Sequence, residues 1–429
     1  MFKVAEHKST PQLEMAAGAT TFLSMVYVLA VSPMILSFAG MPRDALFTAT
    51  ALATIAATLI MGLVANLPFA VAPGMGIIGF FVVVATQMGF TWQQALTAVL
   101  ISGALFVILS FSPLREKVLR EVSPALQHAV AAGIGLMIAH IGLRNSGILA
   151  IDQSGMYSLG VITSGPGLLA VIGFFVTGAL MATRFRFALL AGIVLTTLIG
   201  IPLGVTDTSG LSAGVFALPP SPGPVAFKFD FSILASGAFW GVVLTLLFME
   251  VFDGLAGFIA LFTVMGRKEA ELYRYKLGRA FIADSIGVLA GAAVGVSPNT
   301  TYGESGSGVA MGGRTGMTAV SVAALFGLCL LLSSFFLMIP ASAVAPSLVM
   351  VGLLMMASLT SLNFKDVTES FPAFAIIVII AFTLSLSDGL AVGWILFILM
   401  KLLRGKKAEL TTTVWVVGVL FLAKEVLAR

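Results

Sequence analysis

Cysteine, histidine and charge are all scarce in this 429-residue chain. A single cysteine, Cys329, excludes an internal disulfide and reads as a small apolar residue packed in a helix. The three histidines, His7, His128 and His140, show no metal-ligand spacing. With one thiol beside them, they leave no constellation for catalysis inside a membrane, so the chain is not read as an enzyme and no cofactor or metal is expected. Charged residues make up 10% of the chain, against roughly 25% in soluble domains. The formal net charge of +4 is too small to imply a nucleic-acid partner. No apolar h-region with a small-residue cleavage site precedes the first long apolar run, so a cleaved signal peptide is not expected.

Apolar residues are abundant instead. They form 59% of the chain, and the mean hydropathy is +1.08. The fold class read from this is an all-α polytopic membrane protein in a lipid bilayer. Apolar runs fall at 14–38, 44–64, 70–87, 91–111, 122–143, 165–182 and 185–204. After a Pro/Gly-rich loop they resume at 232–264, 275–294, 302–312, 316–337, 343–358, 371–386 and 387–403. A last run, 411–423, is short and follows basic residues, and reads as a surface-lying C-terminal helix rather than a further span. Lys3, Lys8, Arg115, Lys117, Arg120, Arg184, Arg186, Arg267, Lys268, Arg274, Lys276, Arg314 and Lys401 to Lys407 all follow an even number of crossings. The intervening loops, 144–164 and 205–230, carry only Arg144 and Lys228. The positive-inside rule then places both termini in the cytoplasm, which for a bacterial chain means the inner membrane.

The fourteen transmembrane segments divide into two inverted 7-segment repeats, because an odd number of spans per repeat makes the halves antiparallel. The third element of each half is unusual. One is Asn66 to Phe81, containing Pro73, Gly74 and Gly76, and the other is Ser297 to Gly308. Each opens with a short extended piece containing proline and continues as a Gly-rich half-helix, the best sequence pointer to the site of an inverted-repeat transporter. The expected organisation is a core domain, 1–111 and 232–337, and a gate domain, 112–204 and 338–403. An external loop at 205–231 and a C-terminal tail at 404–429 complete it.

Carboxylates at membrane depth mark a substrate or ion path. Glu304 lies in the broken segment, and Glu250 and Asp253, three residues apart, are expected on one helical face. A buried carboxyl favours its neutral form, the more so beside a second acid, so these groups are candidates for exchanging a proton. Asp284 is weighed equally as a packing residue, Asp388 as a helix-capping residue, and Arg314 as a cation at a half-helix C-terminus. Phe80 and Phe81 are candidates for stacking on a planar ligand.

Several stretches together resemble a known family. Glu14 to Val28, Ala72 to Gly76, Phe252-Asp253-Gly254, Glu304-Ser305 and Gly312 to Val320 are similar to bacterial nucleobase permeases. The resemblance is to the AzgA-like adenine/guanine/hypoxanthine permease branch of the nucleobase–cation symporter (nucleobase/ascorbate transporter) superfamily. It implies fourteen segments in core and gate domains, and a substrate lying between half-helices 3 and 10, bound by Asp253 and Glu304. The candidate binding set also includes Gly303, Tyr302, Phe80, Ile78 and Gly76, with Asp253, Glu250 and Glu304 as candidates for proton coupling. Proton symport, with the core moving against the gate, is likewise what the resemblance implies, and a homodimer is a further expectation. Three features depart from the branch: Ile78 stands where asparagine is usual, Gly254, Ala256 and Gly257 replace polar neighbours of the aspartate, and Asn299 to Glu304 is closer to uracil permeases. A uracil or xanthine permease therefore remains an alternative, as do an inorganic-anion transporter of the same architecture and a channel.

Overall fold

The computed structural model describes residues 2–112, 123–151, 156–185, 187–209, 216–265, 276–383, 386–411, 414–415 and 418–419. Arg115, Lys117, Arg120, Arg186, Arg267, Lys268, Arg274 and most of the 411–423 run lie outside the described residues.

Helix starts follow local chemistry. Helix α1 (Pro11–Met25) begins behind Thr10, whose hydroxyl accepts the Leu13 N–H, with proline at the first helical position. The first apolar run does not form one straight helix: it breaks at Val26 and Tyr27 and resumes as α2 (Val28–Ser37). Helix α3 (Arg43–Ile60) runs into a π turn, Met61–Ala65, that ends at Asn66 in the left-handed conformation. Strand β1 (Val71–Pro73) leads into α4 (Met75–Thr86). A reciprocal capping box between Thr91 and Gln94 opens α5 (Trp92–Phe111). Next come α6 (Pro124–Asn145), a hairpin of β2 (Leu149–Ile151) and β3 (Tyr157–Leu159), α7 (Gly165–Ala182) and α8 (Ala188–Gly200). The loop reading of 144–164 did not foresee this hairpin, whose strands are too short to show a pattern.

The second half holds α9 (Gly237–Met265), α10 (Leu277–Val294), β4 (Asn299–Thr301), α11 (Ser305–Met311), α12 (Gly316–Cys329) and the short α13 (Ser333–Leu337). It closes with α14 (Ala341–Met356), α15 (Val367–Thr383) and α16 (Leu386–Leu403), Asp388 lying in the first turn of α16. Among the described residues, six helical stretches are long and apolar enough to cross a membrane, and six shorter apolar helices accompany them. Large apolar side chains such as Ile108, Phe175 and Phe382 face outward, a surface suited to lipid rather than water.

Packing joins α1, α3, α5, α9, α10 and α12 to one another, and α6, α7, α8, α14, α15 and α16 to one another. Small residues allow the closest approaches. A Cβ at Gly316 would run into the backbone of Gly62, and one at Gly352 into that of Gly135. Helices α2 and α4 join the first set by packing on α3 and α5, and between the two sets α4 touches α6, α1 touches α8 and α2 touches α14.

The extended pieces from the two halves pair antiparallel, Val71 opposite Thr301, Ala72 opposite Thr300 and Pro73 opposite Asn299. The Gly74 N–H donates to Pro298 O (3.0 Å) and the Tyr302 N–H to Ala70 O (2.9 Å). Side chains complete the pairing: Thr58 Oγ1 exchanges hydrogen bonds with both backbone groups of Val71, and Asn299 Nδ2 donates to Gly287 O. An open backbone is tolerated at membrane depth only when its polar groups are satisfied in this way.

Candidate functional site

The paired strands aim α4 and α11 at a cavity of about 710 Å³. On one side it is lined by Ser24, Tyr27, Asp253, Thr301, Glu304 and Ser307, with Met75, Gly76, Tyr302, Gly303 and Gly306. On the other side stand residues of the α7–α8 junction and of α14, including Arg184, Phe187, Val351 and Met355.

Glu304 sits at the N-cap of α11. Its Oε1 accepts a 2.5 Å hydrogen bond from the hydroxyl of Tyr27, which is itself buried at the break between α1 and α2. A bond this short between phenol and carboxylate fixes the rotamer of the acid and directs its second oxygen elsewhere. Tyr302 donates its hydroxyl to Pro73 O (2.7 Å) and so ties the start of α11 to the start of α4. Ser24 and Ser307 share a hydrogen bond of 3.0 Å beside them.

Asp253, from α9, is open to the cavity. Glu250 is not among the lining residues and does not share that face. It is buried against α5, where Ser102 Oγ donates to its Oε1 at 2.7 Å. The expectation that both acids face one cavity is corrected: a three-residue step leaves about 60° between side chains, enough for Glu250 to meet Ser102 of α5 while Asp253 borders the cavity. Asp284 stands behind the cavity wall, accepting from Thr301 Oγ1 at 3.0 Å. Phe80, Phe81 and Ile78 are fully buried in the packing of α4 and do not line the cavity, whereas Gly76, Tyr302, Gly303, Asp253 and Glu304 do. Arg314 donates to Val309 O and Gly313 O at the end of α11, the C-terminal position its charge suits.

Sequence reasoning passed over Tyr27, Ser24 and Ser307. The available signal was a tyrosine, one of five in the chain, in the middle of an otherwise apolar run. It also passed over the role of Glu14, which is fully buried and accepts from the N–H groups of Arg314 and Thr315 and from Thr318 Oγ1. Among the described residues no group of three or more His, Cys, Asp or Glu side chains is placed to hold a metal ion.

Chemically the cavity offers acceptors: two carboxylates, one with an anchored oxygen, set among small polar groups. It suits an uncharged solute bearing N–H donors. Comparison with known proteins points the same way. The sequence model of the Permease family (Xan_ur_permease) matches residues 12–392. Guanine/hypoxanthine permease PbuO of Bacillus subtilis (strain 168) is 37% identical over 430 residues, covering 98% of each chain. Adenine permease AdeP of Escherichia coli (strain K12) is 36% identical over 425 residues, covering 99% of this chain and 95% of that one. Among solved structures, the transmembrane domain of the cyanobacterium bicarbonate transporter BicA aligns with a TM-score of 0.62 at 16% identity, over 87% of this chain and 95% of that one. The murine Slc26a9 anion transporter in its inward-facing state aligns with a TM-score of 0.64 at 13% identity, over 92% and 68%. Those two likenesses concern the fold alone. By its sequence match over most of its length, the chain belongs to the Permease family, together with adenine and guanine/hypoxanthine permeases.

Proposed function

We propose that this protein is a secondary active transporter that imports a purine nucleobase by proton symport. The observation that carries this reading is the convergence of Asp253 and Glu304 on one cavity beside the paired half-helix starts, in a chain over a third identical to adenine and guanine/hypoxanthine permeases. In this reading Glu304, oriented by Tyr27, accepts ring N–H groups of the base, and Asp253 completes the pairing and exchanges the coupling proton. Glu250 acts from behind, holding α9 against α5.

The proposed architecture is fourteen segments in two inverted repeats. The core comprises 1–111 and 232–337, the gate 112–204 and 338–403, and the two sets of mutually packed helices support this division. The proposal puts both termini in the cytoplasm and the protein in an inner membrane, a reading supported by the distribution of basic residues under the positive-inside rule. The cavity is lined by the α7–α8 junction, which carries Arg184, so in this orientation it opens toward the cytoplasm. A homodimer is part of the proposal.

Uptake of radiolabelled hypoxanthine in cells lacking their own nucleobase permeases tests the reading. Unlabelled adenine, guanine and hypoxanthine should compete, and a protonophore should abolish accumulation. Competition by uracil or xanthine alone would reassign the substrate, and bicarbonate-sensitive uptake with no response to bases would overturn the reading.

A further inference from the structure

The carboxylates and hydroxyls named above are all on the α4/α11 side of the cavity, yet the cavity extends well beyond them. Its volume of about 710 Å³ is in the upper part of the roughly 300–1,000 Å³ range of pockets for drug-sized ligands, and a nucleobase is smaller than those. The far end is shaped by the turn between α7 and α8. There Arg184 has φ 56°, a left-handed conformation that helix ends usually leave to glycine or asparagine. Its N–H bonds to Met181 O and that of Phe185 to Leu180 O, so the turn is closed tightly. The cost of placing an arginine there has no return in packing, since the side chain is exposed. What the turn achieves is to bring Arg184, Phe185 and Phe187 to line the same cavity. The two phenyl rings lie edge to face with centroids 6.0 Å apart, and Phe185 keeps 46% of its surface exposed.

A guanidinium and two phenyl rings at the mouth of a cavity suit one kind of small ligand. Planar heterocycles stack on aromatic rings and on arginine planes, and such stacking tolerates any base because every base has a π face. We propose that Arg184, Phe185 and Phe187 form a second, weaker subsite for a planar nucleobase, between the acids and the cavity mouth. It rests on the reading of the protein as a nucleobase carrier. The division of labour is physical: hydrogen bonds to Asp253 and Glu304 discriminate among bases, while stacking at the turn holds any base transiently as it enters or leaves.

Equilibrium binding of radiolabelled hypoxanthine to the purified full chain in nanodiscs tests this. The wild-type protein should show two classes of site. Arg184→Lys keeps the charge but not the planar group; it and Phe185→Leu should each weaken the looser class at least tenfold and leave the tighter class within twofold. Asp253→Asn should do the reverse. A single class unaffected by either turn substitution overturns the subsite, and so does a single class weakened by both, which would put these residues in the primary site. If the wild-type chain binds no base of the panel, the functional reading fails together with the subsite. That outcome is distinguishable from loss of the looser class alone.

Discussion

A carboxylate anchored through one oxygen holds its other oxygen in a fixed direction for a ligand. Glu304 is in that state, with Tyr27 on Oε1. Glu304→Gln keeps the size but removes the charge and replaces one acceptor by a donor. It should weaken binding of a base to purified protein by about 2 kcal/mol or more, since a buried partner is left unpaired. Tyr27→Phe leaves the acid in place but free to turn, and should cost about 1 kcal/mol of affinity while the protein still folds. Unchanged affinity in both variants would remove this pair from the site. Just ahead of α10, Lys276 is buried, and its Nζ donates to Asn66 O at 3.0 Å. Burial, and then Arg279 nearby, bring its pKa down to about 8. The unfolded lysine, near 10.4, holds its proton where the folded one has lost it, so this group makes stability rise as pH climbs from about 8 toward 10. Thermal unfolding across that range should show the rise, and Lys276→Met should flatten it.

Helix ends decide how rigidly the half-helices are held. Helix α11 is only seven residues long and must be braced from outside. The brace is the turn to α12, where Glu14 of α1 takes two backbone N–H groups and the Thr318 hydroxyl. Asn66 Oδ1 adds a bond from the Gly316 N–H at 2.8 Å. Charge-assisted bonds to a buried carboxylate are strong. Glu14→Gln should therefore lower stability by about 2–3 kcal/mol, read as a drop in melting temperature in detergent. A melting temperature equal to that of the wild type would mean that α11 is held by packing alone.

In the proposed transport cycle the two sets of helices move against each other, and a proton moves with the solute. Asp253→Asn should abolish accumulation driven by an imposed pH difference while leaving exchange of bound substrate measurable. Accumulation that survives would locate the proton elsewhere. The cavity boundary offers a direct mechanical check. A Cβ built at Gly76 of α4 would stand 3.7 Å from the Met355 methyl of α14, and Ile134 Cγ2, 2.7 Å from it, must shift to admit it. In a Cys329→Ser background, Gly76→Cys and Met355→Cys joined by a short bifunctional thiol reagent should block uptake. Full uptake after complete crosslinking would refute the proposed sliding of core against gate.

The apolar runs, the proline- and glycine-marked breaks at 66–81 and 297–308, and the presence of acids at membrane depth could all be read from the sequence. Each depends on local composition, which neighbours in the chain cannot reverse: hydrocarbon rejects an unsatisfied backbone wherever it comes from. The tertiary structure decided which of those groups meet. Glu250 and Asp253 are three residues apart on α9, yet one is sealed against Ser102 of α5 and the other opens on the cavity. Tyr27 finds Glu304 across 277 residues of chain, and Glu14 finds Thr318 across 304. Nor could the burial of Ile78, Phe80 and Phe81 be read from a helix that is apolar all round. Periodicity selects a face only where polar and apolar residues alternate around a helix. In α4 they do not, and only its neighbours in the fold determine which side faces the solute.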